Sequence, residues 1–204
     1  AAIESVKVSD NMVAYLNYAN QFRLFYHGQI IEQEDFLVQD YAVGRDIVAY
    51  TDINRQFKVF YKGTTYQLDS YPTTSYSVGD DLVAYVTSDG YFKIFYDGKI
   101  LNVGFFNPSY TVADHMVAFK DNANYFKVFY KGNFISLENQ YPLTLQAHYH
   151  SLAYVNQMGN LKIVTEGNVY EVANNVEAYK LNYDVLTYQF AANVYRVFYK
   201  GVSY

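Results

Sequence analysis

Apolar and polar positions recur along this chain with a fixed period. A small-then-aromatic step appears as Val13-Ala14-Tyr15, Val48-Ala49-Tyr50, Val83-Ala84-Tyr85 and Val117-Ala118-Phe119, then more weakly as Leu152-Ala153-Tyr154 and Leu186-Thr187-Tyr188. The aromatics are separated by 35, 35, 34, 35 and 34 residues. Ten residues after each comes a second element: Phe25-Tyr26-His27-Gly28, Phe60-Tyr61-Lys62-Gly63, Phe95-Tyr96-Asp97-Gly98, Phe129-Tyr130-Lys131-Gly132, Val164-Thr165-Glu166-Gly167 and Phe198-Tyr199-Lys200-Gly201. The offset never changes, so the two elements are one unit, and the chain is six tandem copies of a repeat of about 35 residues.

Alternation within a copy predicts four short antiparallel strands. In the third copy these are Ser75 to Val78, Leu82 to Thr87, Tyr91 to Tyr96 and Lys99 to Val103. Gly79-Asp80-Asp81 supplies the first turn, and Asp97-Gly98 supplies a hairpin turn that needs positive φ. In the second strand Leu82, Ala84 and Val86 face one way and Val83 and Tyr85 the other, so both faces are apolar. A strand of that kind must be covered on both sides. An open stack of repeats needs polar terminal copies. Here the first and sixth copies keep the apolar pattern and the fifth is the degraded one, which points to a closed ring.

The order of a Gly-Asp turn, an apolar strand, a short polar turn and an aromatic-rich strand resembles the blade repeat of WD40-like and TolB-like β-propellers. The Trp-Asp dipeptide of true WD40 repeats is absent, since the chain has no Trp. The fold this resemblance implies is an all-β, six-bladed β-propeller forming one domain over residues 1-204. Its blades would fall at about 1-35, 36-70, 71-104, 105-139, 140-173 and 174-204. In this register the chain starts at a first strand and stops inside a fourth, unless residues Ile3 to Val8 pair as an outer strand with the last copy. Propellers host unrelated functions, so no activity comes with the resemblance.

Composition narrows the partners. A formal net charge of −5 repels a phosphate backbone, which argues against nucleic acid. No run is long enough to span a bilayer, so direct membrane insertion is not expected. With no Cys there is neither a disulfide framework nor a thiolate metal site. A Tyr- and Asn-rich, Cys-free repeat resembles bacterial surface and periplasmic proteins. The expected location is therefore extracytoplasmic: periplasmic, cell-surface or secreted.

Candidate chemistry is sparse. A basic residue recurs at one place in every third strand: Arg23, Lys58, Lys93, Lys127, Lys162 and Arg196. A ring of charge for an anionic ligand is one reading; a structural role, with the stem covering apolar surface and the charge reaching an acid such as Asp10, Asp80 or Asp114, is preferred. His148 and His150 stand two apart, but no third ligand sits at metal-binding spacing, and no metal or cofactor is expected. Asp80, Asp81, Asp114 and Asp184 lie in first turns, where Asp bonds its own backbone. No phosphate loop or nucleophile motif is present, so the chain is not expected to be an enzyme; a hydrolase or lyase would need convergent acids.

The turns after the first and third strands are repetitive, whereas the segments between strands two and three, and those joining copies, differ freely. Strand alternation places both variable sets on one rim, and function concentrates in loops on a rigid scaffold. The candidate binding residues are Tyr18, Arg55, Tyr71, Tyr91, Phe105, Phe106, Tyr125 and Tyr141. Aromatics of this kind anchor interfaces. The expected function is a non-enzymatic protein-protein interaction or scaffold module, part of a larger assembly. A carbohydrate-binding, lectin-like propeller is the alternative.

Overall fold

The computed structural model describes residues 5–204. Among them, 24 strands form six four-stranded antiparallel sheets, each made of four consecutive strands. Sheet 1 is Val6–Val8, Met12–Leu16, Phe22–Tyr26 and Gln29–Glu34, and sheet 2 is Asp40–Gly44, Ile47–Thr51, Phe57–Tyr61 and Thr64–Asp69. Sheet 3 is Ser75–Val78, Leu82–Val86, Tyr91–Tyr96 and Lys99–Phe105, so its fourth strand outruns the expected one by two residues. Sheet 4 is Tyr110–Ala113, Met116–Lys120, Phe126–Tyr130 and Asn133–Glu138. Sheet 5 is Thr144–His148, Ser151–Val155, Asn160–Thr165 and Asn168–Asn174, and sheet 6 is Ala178–Asn182, Val185–Ala191, Val194–Tyr199 and Val202–Ser203. Two compact units result, Ala1–Asn107 with sheets 1 to 3 and Pro108–Tyr204 with sheets 4 to 6.

Alternation decides what each sheet face meets. In sheet 2, Ile47, Ala49, Phe57, Val59 and Tyr61 pack forward onto Val83, Tyr85 and Phe95 of sheet 3. The opposite face, with Val48, Tyr50 and Phe60, packs back onto Met12, Ala14, Phe22, Leu24 and Tyr26 of sheet 1. The second unit repeats the arrangement, with Phe126 and Val128 of sheet 4 on Leu152, Tyr154 and Val164 of sheet 5. Ring pairs recur nearly unchanged: Phe22–Tyr50, Phe57–Tyr85 and Phe126–Tyr154 have centroids 5.2, 5.3 and 5.1 Å apart. Each fully buried Phe contributes roughly 2–3 kcal/mol through area removed from water. Within each unit the sheets come closest at their first strands and splay apart beyond them.

Two faces depart from this rule. Phe25, on the back of sheet 1, is 44% exposed, whereas its counterparts Phe60, Phe95, Val164 and Phe198 are at most 4% exposed. On the forward face of sheet 6, Tyr195 is 70% exposed where Phe22, Phe57, Phe126 and Leu161 are wholly buried. The two faces differ in chemistry. Sheet 1 keeps apolar Val6, Val8, Phe25 and Ile30. Sheet 6 carries Thr187 where Ala14, Ala49, Ala118 and Ala153 stand, and Tyr195 replaces Phe. The expectation that the sixth copy keeps the apolar pattern therefore needs correcting for that face, because its substitutions add hydroxyls. Val6–Val8 pairs with Met12–Leu16 rather than with the last copy, and Ile3 lies outside the described residues.

Candidate functional site

The rim built by the turns between strands two and three is more uniform than its sequence suggests. At the first position of each turn stands Asn17, Asp52, Thr87, Asp121 or Asn156, and its side-chain oxygen accepts a backbone N–H four residues on. The donors are Gln21, Gln56, Tyr91, Tyr125 and Asn160, at 2.8–3.0 Å. Asn20, Arg55, Gly90, Asn124 and Gly159 then take positive φ. Asn and Asp favour this geometry because a short side chain can replace a backbone acceptor. These five turns therefore vary in side chains on one shared backbone conformation, which corrects the expectation of free divergence for them.

A β-bulge lies beside the recurrent basic residue in each of the first five sheets. The register shifts between Phe22 and Arg23, Phe57 and Lys58, Phe92 and Lys93, Phe126 and Lys127, and Leu161 and Lys162. The extra residue lies on the fourth strand, and such bulges re-aim the side chains beside them. Glu34 is thereby placed against the next sheet, where its Oε1 accepts from Lys58 Nζ at 2.9 Å and from the Tyr50 hydroxyl at 2.9 Å. Lys58 also meets Asp52 Oδ2 at 2.8 Å. In the second unit Glu138 Oε1 accepts from Lys162 at 2.8 Å and from Tyr154 at 3.2 Å, and Lys127 pairs with Asp121 Oδ2 at 2.8 Å.

Lys58, Lys127 and Lys162 are thus structural, with partners other than the expected Asp10, Asp80 and Asp114. Those three lie in first turns, at the opposite end of the strands from the rim that Lys58 and Lys162 reach. Arg23 bonds the Glu34 carbonyl at 2.7 Å and approaches Asp35, while Arg196 lies 5.0 Å from the Phe190 ring centroid. Burial works against the Lys58 ammonium more than any other single influence, but hydrogen bonds to Asp52 and Glu34 together hold its pKa above the ordinary lysine value. Burial likewise opposes charge on Asp121. Bonds from Lys127 and from the Tyr125 and Ala123 N–H groups outweigh it and keep the carboxyl below its usual range.

Of the candidate binding residues, Tyr18, Tyr71 and Phe105 are 73%, 66% and 70% exposed, and Arg55 and Tyr125 are also exposed. Phe105 packs edge-on against half-buried Tyr91 at 5.1 Å. It also lies over Gly90, where a Cβ would meet the ring at 3.3 Å. Phe106 and Tyr141 are half-buried and turn inward, onto Phe92 at 5.8 Å and Phe126 at 5.3 Å. The structure thus brings Tyr91 and Phe105 together and gives Phe106 and Tyr141 packing roles.

The two histidines diverge. His148 Nδ1 accepts from the Tyr183 N–H at 3.1 Å, whereas His150 stacks on His115 at 4.7 Å with 11° between the rings. Among the described residues no group of three or more His, Asp or Glu side chains could hold a metal ion. Asp80 accepts from the Arg45 N–H at 3.3 Å and Asp184 from the Ser151 hydroxyl at 2.9 Å, so these first-turn acids tie one sheet to the next. Among the described residues no helix is long and apolar enough to cross a membrane.

Tandem four-stranded sheets, packed face to face within each unit and splaying from their first strands, define a β-propeller repeat protein. The chain belongs to the family described as the 10-bladed beta propeller domain, whose profile matches residues 1–204. That description names ten blades where this sequence carries six repeats. No curated protein matches the sequence. Among solved structures the chain is similar to human WBSCR16, with a TM-score of 0.51 and 7% identity over 98% of this chain and 77% of that one. It is also similar to Prp20p of Saccharomyces cerevisiae, with a TM-score of 0.50 and 8% identity over 95% of this chain and 70% of that one. At such identities the likeness is one of fold.

Proposed function

We propose that this chain is a non-enzymatic propeller scaffold that docks another protein through the rim of strand-two-to-three turns and sheet-joining segments. The observation that carries the reading is Phe105, a large apolar side chain left 70% exposed on a support of Tyr91 and Gly90. An aromatic at a strand end, propped on a hydrogen-bonded turn, loses little conformational freedom on binding, which suits an interface anchor. Tyr18, Arg55 and Tyr125 are exposed on strand-two-to-three turns and Tyr71 on a sheet-joining segment. Prp20p, a protein of like fold, is described with its binding to Gsp1p and histones, and protein docking is a use this architecture supports.

The fold part of the proposal is a single domain over residues 1–204 whose six sheets are successive blades of a ring. Two-sided burial of the interior sheets supports it, as does the apolar back face of sheet 1 around Phe25. The chain has no Cys, so a Phe25→Cys, Val197→Cys pair is a clean probe. A disulfide formed within monomers at high dilution supports closure by six blades. Dithiols that stay reduced in the monomer reject it and require further blades, as the ten-blade family description implies.

Docking is tested by affinity capture with the intact chain. The expected result is a partner retained by the unaltered protein and lost on combined Tyr18→Ala, Phe105→Ala and Tyr125→Ala substitution. Retention of the same partner by the triple variant would reject the rim. The proposed compartment is extracytoplasmic and the source bacterial, supported by the Tyr- and Asn-rich, Cys-free composition; fractionation of expressing cells tests it.

A further inference from the structure

Beside the exposed aromatic pair, one recurrent lysine lacks the acids that hold its counterparts in sheets 2 and 5. In sheets 2 and 5 a glutamate from the preceding sheet joins a buried tyrosine to the recurrent lysine: Glu34 with Tyr50 and Lys58, Glu138 with Tyr154 and Lys162. In sheet 3 the tyrosine is Tyr85 and the lysine Lys93. Glutamate's register position on sheet 2 is held by Asp69, one methylene shorter, and its Oδ1 accepts from the Tyr71 N–H at 3.0 Å. The second acid is missing too. Where Lys58 has Asp52, sheet 3 has Thr87, whose hydroxyl serves the Tyr91 N–H and the Asp89 carboxylate.

Two donors are left over. The Tyr85 hydroxyl is buried and makes no hydrogen bond, although its residue is wholly inaccessible to solvent. Lys93, half-buried, makes no ion pair among the described residues and lies 5.9 Å from the centroid of the Tyr91 ring. The sealed hydroxyl is out of a partner's reach, whereas half-buried Lys93, without the acids that its counterpart Lys58 holds, favours an acceptor arriving from outside. The same Tyr91 ring packs edge-on against Phe105.

Building on the docking reading above, we infer that Lys93 and Phe105 form a receptor for a glutamate side chain of a partner protein, flanked by an apolar residue that packs on Phe105. The incoming carboxylate supplies the acid that Thr87 cannot. Lys93 then gains an acid, as Lys58 has Glu34 and Asp52. Asp89 is the other carboxylate on this loop, and it faces the Thr87 hydroxyl.

The probe is the tripeptide acetyl-Leu-Glu-Leu-amide, compared with acetyl-Leu-Gln-Leu-amide, titrated into the isotope-labelled intact chain and followed by NMR. Expected are shifts centred on Tyr91, Lys93 and Phe105, with the glutamine peptide at least tenfold weaker. Lys93→Met should abolish the shifts. Asp69→Glu, which supplies the carboxylate from within, should also abolish them while raising the unfolding midpoint. Equal response to the two peptides, or an unchanged response in Lys93→Met, would overturn the receptor. Rim docking is read separately: a captured partner that survives Lys93→Met but not the triple aromatic substitution keeps the rim and rejects the carboxylate receptor. Glutamate-specific shifts with no captured partner keep the receptor and reject the rim's docking role.

Discussion

Gly44 of sheet 2 lies against Gly79 of sheet 3 so closely that a Cβ at position 44 would stand 1.8 Å from the Gly79 carbonyl oxygen. No rotamer relieves that clash, because both partners are backbone. Close packing leaves no slack to absorb even one methyl group. Gly44→Ala should therefore destabilise the protein by about 3 kcal/mol or more, the upper end of overpacking costs. Gly63→Ser is no substitute test, since it probes a strained turn rather than the approach of two sheets. Urea unfolding of Gly44→Ala against the parent measures the effect, and a loss under about 1 kcal/mol would show that the sheets are not in this contact.

The lysine positions should respond unequally. Lys58 holds two carboxylates, one of them on Asp52, which is 2% exposed. Removing the ammonium strands both acids, at a cost of about 2 kcal/mol once partial exposure of the lysine is allowed for. Lys93 holds no acid, so Lys93→Met should cost no more than about 0.5 kcal/mol. The two lysines occupy the same register position in successive repeats, and denaturant midpoints compare them directly. Equal losses would mean that the acids contribute nothing.

Much of this fold is legible in the chain because its cause is local. Alternation of Leu82 to Val86 and the Asp97-Gly98 turn specify strands and a hairpin without reference to anything distant. The partner of each lysine is not local. Glu34 reaches Lys58 only because a bulge on the fourth strand of sheet 1 turns it toward sheet 2, and nothing in a run such as Gln29 to Glu34 announces a bulge. The signal that was available is periodic: Glu34, Asp69 and Glu138 occupy one register, as do Asn17, Asp52, Thr87, Asp121 and Asn156. That second series looks like free variation in sequence, because three residue types perform the same turn-closing hydrogen bond. Phe106 and Tyr141 read as exposed loop aromatics for a similar reason, since only the packed structure shows Phe92 and Phe126 beneath them.

Acid should act through Asp121. Its folded pKa lies below the ordinary carboxylate value near 4, so the stability it contributes is complete above that value and is lost as pH falls through the lower, folded one. Asp121→Asn keeps the turn, as Asn156 does in the next repeat, and removes the Lys127 pair. Parent and variant should therefore differ in unfolding midpoint at pH 6 by a margin that shrinks below about pH 4 and then closes. A difference that persists unchanged to low pH would assign the effect to the turn rather than to the ion pair.

Base should act through buried tyrosines. Burial, assisted by the hydrogen bond to Asp46, pushes Tyr26 up to about 12, and burial drives Tyr50, Tyr76, Tyr85 and Tyr154 higher still. The folded state thus favours the neutral phenol, and the stability this represents is complete below the unfolded value near 10 and declines as pH rises beyond it. With 25 Tyr and no Trp, tyrosinate absorbance reports the ionisation without interference. The signal of these five should arrive in one cooperative step that coincides with loss of the β-sheet circular dichroism. Two variants separate burial from bonding. Tyr50→Phe removes a hydroxyl that donates to Glu34 and accepts from Gln33, and should cost about 1–1.5 kcal/mol. Tyr85→Phe removes one that bonds to nothing in the protein, and should be neutral or stabilising. If ionisation is complete before the circular dichroism changes, or if Tyr85→Phe costs as much as Tyr50→Phe, the tyrosines are not sealed between sheets as the structure has them.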